Sequence, residues 1–205
     1  MLVLIFNGKE KEFLGKILKY KNKNTYIFLM HQIHKYVEST LKINLGQVLC
    51  NKKSMDFLVQ KSVELGIHTL TPLFSSRSNE FLNKKNLNKI IDRWEKIIIQ
   101  SSQQCGRNFL LKINDPISIY KWCDTKSTSF KIYADPYSEK KIKEINQKIK
   151  NINLLIGPEG GLSKEEVFHV EKNNFNKIKF GPRILRTETS VISIVSILQM
   201  YFGDF

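Results

Sequence analysis

The sequence predicts an α/β protein with a mainly parallel sheet, preceded by a small antiparallel β region. Three observations predict it. From residue 43 onward, short apolar runs alternate with stretches of helical period, the order that builds parallel strands joined by crossover helices. Two of those apolar runs stop at the same dipeptide, Gly157-Pro158 and Gly181-Pro182. Residues 1–37 read instead as three short strands joined by polar turns.

The three strands are expected at 2–6, 13–18 and 25–30. Asn7-Gly8 is the signal of a two-residue hairpin between the first two, and 22–24 is a polar turn before the third. Three strands of this length are marginal alone, so they must lean on the rest of the chain. A linker at 38–41 divides a β region, 1–38, from the main domain, 39–205. That domain opens with a strand at 43–50. Ser54 is the expected cap of a helix over 55–65 with Met55, Leu58, Val59 and Ser62 turned inward, and Gly66 ends it. A strand at 67–74 follows. Its Pro72 puts it at an edge or cuts its pairing short. Leu87, Ile90, Ile91, Trp94, Ile97 and Ile98 keep the helical period, giving a long amphipathic helix that Gly106 terminates. Next come a strand at 110–113, a short helix at 117–123 and a strand at 130–134. Residues 139–150 read as a charged surface helix.

Ile152, Leu154, Leu155 and Ile156 form a strand buried on both faces. Gly157-Pro158 stops it. Ser163, with Glu166 three residues on, is a capping box that opens a helix reaching about Asn173. A strand at 177–180 and a helix over 189–201 complete the chain. That helix is apolar almost all round, so it needs cover on almost every side. One wall can be the sheet and the other a second subunit.

Formal net charge is +14, which invites a polyanionic partner such as nucleic acid. Arginine is scarce against this lysine-rich background, so Arg77, Arg107, Arg183 and Arg186 mark places that need a planar, bidentate donor. Arg93 lies mid-helix and reads as structural. Cys50, Cys105 and Cys123 are too far apart for a metal pair or a disulfide framework, which suits a reducing cytoplasm. His31 and His34 are spaced as on one helical turn but have no third ligand nearby, so no metal site is expected. Met1 to Phe6 is too short for a signal peptide, and no run is long enough to span a membrane.

The stretch from 157 to 166 carries the chemistry. A strand, a glycine loop and a capped helix expose free N–H groups to a ligand. The loop is neither G-x-G-x-x-G nor a P-loop. Adjacent parallel strands ending in two such Gly-Pro loops make a crevice at their carboxyl ends.

Six segments, in order, resemble the RsmE family, the small-subunit ribosomal RNA uridine-N3 methyltransferases of the SPOUT class. They are Gly46-Gln47-Val48, residues 60–66, Thr71-Pro72-Leu73, residues 104–108, residues 155–162 and residues 181–189. The match runs from about Leu41 to Phe205. The resemblance implies a deep trefoil knot, with the chain around 181–189 threaded through an earlier loop, an exception to the rule against knots. It implies S-adenosylmethionine bound bent against the two Gly-Pro loops, at Ile156, Gly157, Pro158, Glu159, Gly160, Gly161, Phe180, Gly181, Leu185, Thr187 and Thr189. It implies a homodimer with its site near the interface, and 3-methyluridine in 16S rRNA of an assembled small subunit as product.

Uridine N3 keeps its proton at neutral pH. Arg186, then Arg183, are the candidate donors to the charge that develops on the base. Glu188 or Glu159 is the candidate proton acceptor, or fixes a loop. Arg77, Arg107, Asn108 and Arg183 are candidate RNA contacts, or cap helix ends. The family also carries an N-terminal RNA-binding barrel of PUA type, of which residues 1–37 resemble only the later strands. Ser76 and Gln103 stand where family members commonly have Glu, so a partner for Arg77 or Arg107 is expected to be missing. Two other readings remain open at this point: a catalytically silent RNA-binding or ribosome-assembly protein, and a SPOUT methyltransferase acting at another RNA position.

Overall fold

The computed structural model describes residues 1–34, 37–78, 86–145 and 148–205. Strands β1 (Leu2–Phe6), β2 (Glu12–Lys21) and β3 (Asn24–Ile33) form an antiparallel sheet in that order. The main domain then runs β4 (Lys42–Val48), α1 (Lys52–Glu64), β5 (Thr69–Phe74), α2 (Leu87–Cys105), β6 (Lys112–Ile113) and β7 (Ile117–Ser118). It continues with α3 (Ile119–Asp124), β8 (Phe130–Ala134), β9 (Asn151–Ile156), α4 (Lys164–Lys172), β10 (Asn176–Ile178) and α5 (Thr187–Phe202). Its sheet has the order β10-β8-β9-β4-β5-β6, with β7 also pairing β5, and every pairing is parallel.

Side chains alternate across this sheet, and each face has its own core. Ile43 and Leu45 of β4, with Ile152, Leu154 and Ile156 of β9, join Met55, Leu58, Trp94, Ile98, Val191 and Leu198 from α1, α2 and α5. Val48 and Leu155 point the other way, to Ile119, Cys123, Val170 and Phe175 around α3 and α4. The expected inward residues of α1 are all buried. On the α3 side the indole of Trp122 lies directly on β4. A Cβ at Gly46 would come within 2.7 Å of that ring, so the position must lack a side chain.

Among the described residues the small sheet and its linker are tied to the main domain at two places. Glu10 N donates to Asn108 O (3.1 Å) and Leu110 N to Gly8 O (3.2 Å), so the loop after β1 pairs with the chain beyond α2. In the linker, Glu38 receives both arms of the Arg107 guanidinium, at 2.7 and 2.8 Å. Ser39 Oγ donates to Gln199 Oε1 at 2.8 Å, and Gln199 Nε2 donates to Leu65 O at 3.0 Å, which joins the linker to α5 and α1.

Several local expectations are corrected. The β1–β2 connection is five residues, 7–11, not two. Asn7 Oδ1 accepts from Lys9 N and Lys11 N, and the extra residues reach the 108–110 segment. Asn51, not Ser54, caps α1, accepting from Ser54 N at 3.0 Å. Pro72 lies within the sheet, in register with Gln47 of β4. On the other side it falls between the short pairings with β6 and β7. Residues 117–118 pair with β5 before the helix, which Ser118 caps. His31 lies on a strand, so it shares no helical turn with His34.

The helix expected over 139–150 is absent from its described residues, which hold only a 3-10 turn, Ile142–Glu144; 146 and 147 lie outside the described residues. Lys179 N donates to Lys140 O (2.8 Å) and, just before the segment, Ser138 Oγ donates to Lys177 O (3.0 Å), so its start is bonded to the end of β10. The last helix starts two residues earlier than expected and is covered on one side. Val191, Ile194, Val195 and Leu198 are buried, whereas Met200 is 67% and Tyr201 47% exposed.

Candidate active site

A cleft opens at the carboxyl ends of β8, β9 and β10. The expectation that the two Gly-Pro strands are neighbours is corrected, because β8 lies between β9 and β10. Three strand ends therefore build the cleft. The first wall is Ile156, Gly157, Pro158, Glu159, Gly161 and Leu162. The second is Phe180, Gly181, Arg183, Ile184, Leu185 and Thr187, followed by Ser190 and Ile194 of α5. The floor between them is Ala134, Asp135, Pro136 and Ile178.

Of the expected cofactor residues, Gly160 and Thr189 stand outside this lining. So do Arg186 and Glu188. Sequence reading missed Asp135-Pro136, which it treated as a plain turn. The available signal was a third strand end of the same kind as the other two.

Both bends depend on glycine. Gly161 has φ 68° and Gly181 φ 125°, backbone regions that residues with a side chain rarely adopt. Around both, the space a Cβ would enter is open to 4 Å, so conformation and not crowding selects glycine there. Gly161 N donates to Pro158 O at 2.9 Å and closes the first bend. The capping box forms as read. Ser163 Oγ accepts from Glu166 N, and Glu166 Oε2 accepts from Ser163 N at 2.8 Å.

Glu159 and Asp135 line the cleft together with Arg183. Cys50, just beyond β4, has its thiol pushed up to about 12, first by burial and then by the charge of Glu159, with a smaller push from Glu188. The thiol stays protonated, and the two carboxylates share one neighbourhood. Glu188 sits in the first turn of α5, where a helix N-terminus favours an anion. Arg186 is the residue before that helix, exposed and, among the described residues, without an ion-pair or hydrogen-bond partner for its guanidinium.

The other arginines divide. Arg77 Nη1 donates to Gly160 O at 2.7 Å, so it touches the first bend. Arg93 is held by Asp56 at 2.6 Å, a structural role as expected. Arg107 is corrected as a candidate RNA contact. It is 5% exposed, and its guanidinium is taken up by Glu38 and by Val63 O. Glu38 thus supplies the carboxylate that Gln103 lacks. Asn108 is likewise buried, at 2%. Among the described residues no group of three His, Cys, Asp or Glu is placed to hold a metal ion.

Residues 37–199 match a family model described as an RNA methyltransferase domain. The chain is 40% identical to ribosomal RNA small subunit methyltransferase E of Buchnera aphidicola subsp. Acyrthosiphon pisum over 204 residues, 98% of this chain and 80% of that one. It belongs to that family. A second relative of the same name, from Buchnera aphidicola subsp. Schizaphis graminum, is 43% identical over 98% of this chain and 82% of its own. The small subunit methyltransferase E of Neisseria gonorrhoeae, solved bound to S-adenosylmethionine, superposes with a TM-score of 0.94 at 28% identity, covering all of this chain and 85% of that one. A Legionella pneumophila protein described as a methyltransferase, solved with the same cofactor, gives 0.94 at 33% identity, over 100% and 84%.

Proposed function

We propose that this member of the methyltransferase E family transfers a methyl group from S-adenosylmethionine to N3 of a uridine in 16S rRNA of the small ribosomal subunit. The cleft between the two glycine bends carries the reading. Its residues fit the cofactor: Ile156, Leu162, Phe180 and Leu185 offer apolar walls for a purine, the bends offer bare backbone, and Glu159 offers negative charge to a sulfonium. The bound cofactor supplies an electrophilic methyl group. The protein aligns the base with it and excludes water. Arg186, exposed at the start of α5, donates to the uracil oxygens as negative charge spreads onto them, with the helix N-terminus behind it. Glu188, two residues on, is the proton acceptor for N3. Arg183, on the cleft wall, contacts the RNA. Arg107 and Asn108 hold the β region and the catalytic domain together.

The same reading has the chain around 181–189 threaded through an earlier loop as a trefoil knot, a reading supported by the way three strand ends line one cleft. It has two copies meeting through the open side of α5, where Ile184, Met200, Tyr201 and Phe205 leave an apolar surface. It has the enzyme working in the cytoplasm, where small subunits mature; no helix among the described residues is long and apolar enough to cross a membrane.

The experiment is to incubate the protein with unmodified small subunits and S-adenosylmethionine and to digest the rRNA for nucleoside mass spectrometry. The expected product is 3-methyluridine. Methyl groups on ribose, or none, would discard the assignment.

A further inference from the structure

We infer that Glu166 and Arg77 are positioning residues of the cofactor site, acting through the bend at 157–162. The inference rests on the proposed reading of the cleft, and neither residue lines that cleft.

The loop 75–78 follows β5, and the bend 157–162 follows β9. The end of β4 lies between them in the sheet, so no strand pairing joins the two loops. Glu166 joins them. Its side chain is fully buried, and each carboxylate oxygen accepts one backbone N–H, Oε1 from Ser76 at 2.7 Å and Oε2 from Ser163 at 2.8 Å. A capping box needs only the second of these bonds. The first fixes the loop 75–78 against the start of α4.

From that loop Arg77 reaches back. Its Nη1 donates to Gly160 O at 2.7 Å, and its Cδ lies 3.6 Å from where a Cβ of Gly160 would stand. The loop is itself braced, with Ser78 N and Oγ both donating to Ser75 O. The bend is thus held at its far end by Glu166 through Ser163, in its middle by Arg77 through Gly160, and within itself by Gly161 N on Pro158 O. Gly157, Pro158 and Glu159, which form the cleft wall, have their direction set by these three constraints. Loss of either outer one frees the glycine pair, which has the least intrinsic preference for one conformation.

The test measures two constants for the full-length wild type, Arg77→Ala, Arg77→Lys and Glu166→Gln. They are the Kd for S-adenosylmethionine by calorimetry and the KM for small-subunit rRNA at saturating cofactor. Gln at 166 offers one acceptor oxygen where two are needed, so affinity for the cofactor is expected to fall about tenfold. Arg77→Ala is expected to weaken it about fivefold, with KM for RNA within twofold of wild type and the melting temperature unchanged, because the side chain is exposed. Arg77→Lys, which keeps one donor, is expected to recover part of the loss. Unchanged cofactor affinity in Arg77→Ala, or a raised KM for RNA with Kd unchanged, overturns the inference. Arg77→Ala decides alone if Glu166→Gln does not fold. A wild type that fails to bind S-adenosylmethionine overturns the proposed function instead.

Discussion

Arg186→Ala is expected to lose methyl transfer by about 10²–10³-fold while its affinity for S-adenosylmethionine stays within twofold of wild type. The guanidinium lies outside the cleft lining and has no partner among the described residues, so its removal is expected to disturb neither the cofactor walls nor the fold. What it removes is a donor needed only when negative charge appears on the base, and such a loss falls on the chemical step. Single-turnover kinetics on small subunits read this directly. The N-cap backbone stays in place, since Arg186 makes no side-chain cap. A variant that turns over normally would remove Arg186 from the mechanism. One that loses cofactor affinity would place it in the cofactor site.

Arg107→Ala is expected to cost about 3 kcal/mol of stability, because it leaves the Glu38 carboxylate without its partner at a largely buried site, while Val63 O keeps Gly66 N. For a chain of 205 residues that corresponds to a melting temperature lower by roughly 6–12 °C. Glu38 lies in the linker, and the next residue, Ser39, bonds to Gln199 of α5, so the damage falls where the small sheet joins the catalytic domain. Glu38→Gln is expected to be milder, since the amide oxygen can still accept from Arg107. An unchanged melting curve together with weaker RNA binding would return Arg107 to the RNA surface.

Elements with a strong period were legible in the sequence. The apolar stripe of α2 and the capping box of α4 stand where expected, and Arg93 is structural as read. The two Gly-Pro bends do face one cleft, because a strand end needing bare backbone leaves a trace in composition. What sequence withheld was decided by partners far along the chain. Nothing local tells that β8 inserts between β9 and β10, yet that placement brings Asp135-Pro136 into the floor. Residues 139–150 have the charge of a surface helix, but the end of β10 bonds to Lys140 and to Ser138, just before the segment. Arg107 follows a helix-ending glycine, as a surface arginine would. Its burial depends on Glu38, 69 residues earlier. The capping box named Glu166 correctly, but gave no hint that its other oxygen holds Ser76.

The claim beneath all of this is that the methyl donor lies between the bends at 157–162 and 181–187. Glycine-selective ¹⁵N labelling tests it most directly, because the chain has only 10 glycines and they sample both the cleft and the rest of the fold. Titration with S-adenosylmethionine is expected to shift the amides of Gly157, Gly160, Gly161 and Gly181 saturably, and to leave Gly15 of β2 and Gly8 of the β1–β2 connection where they are. Saturable shifts confined to other glycines, or none at all, would contradict the account.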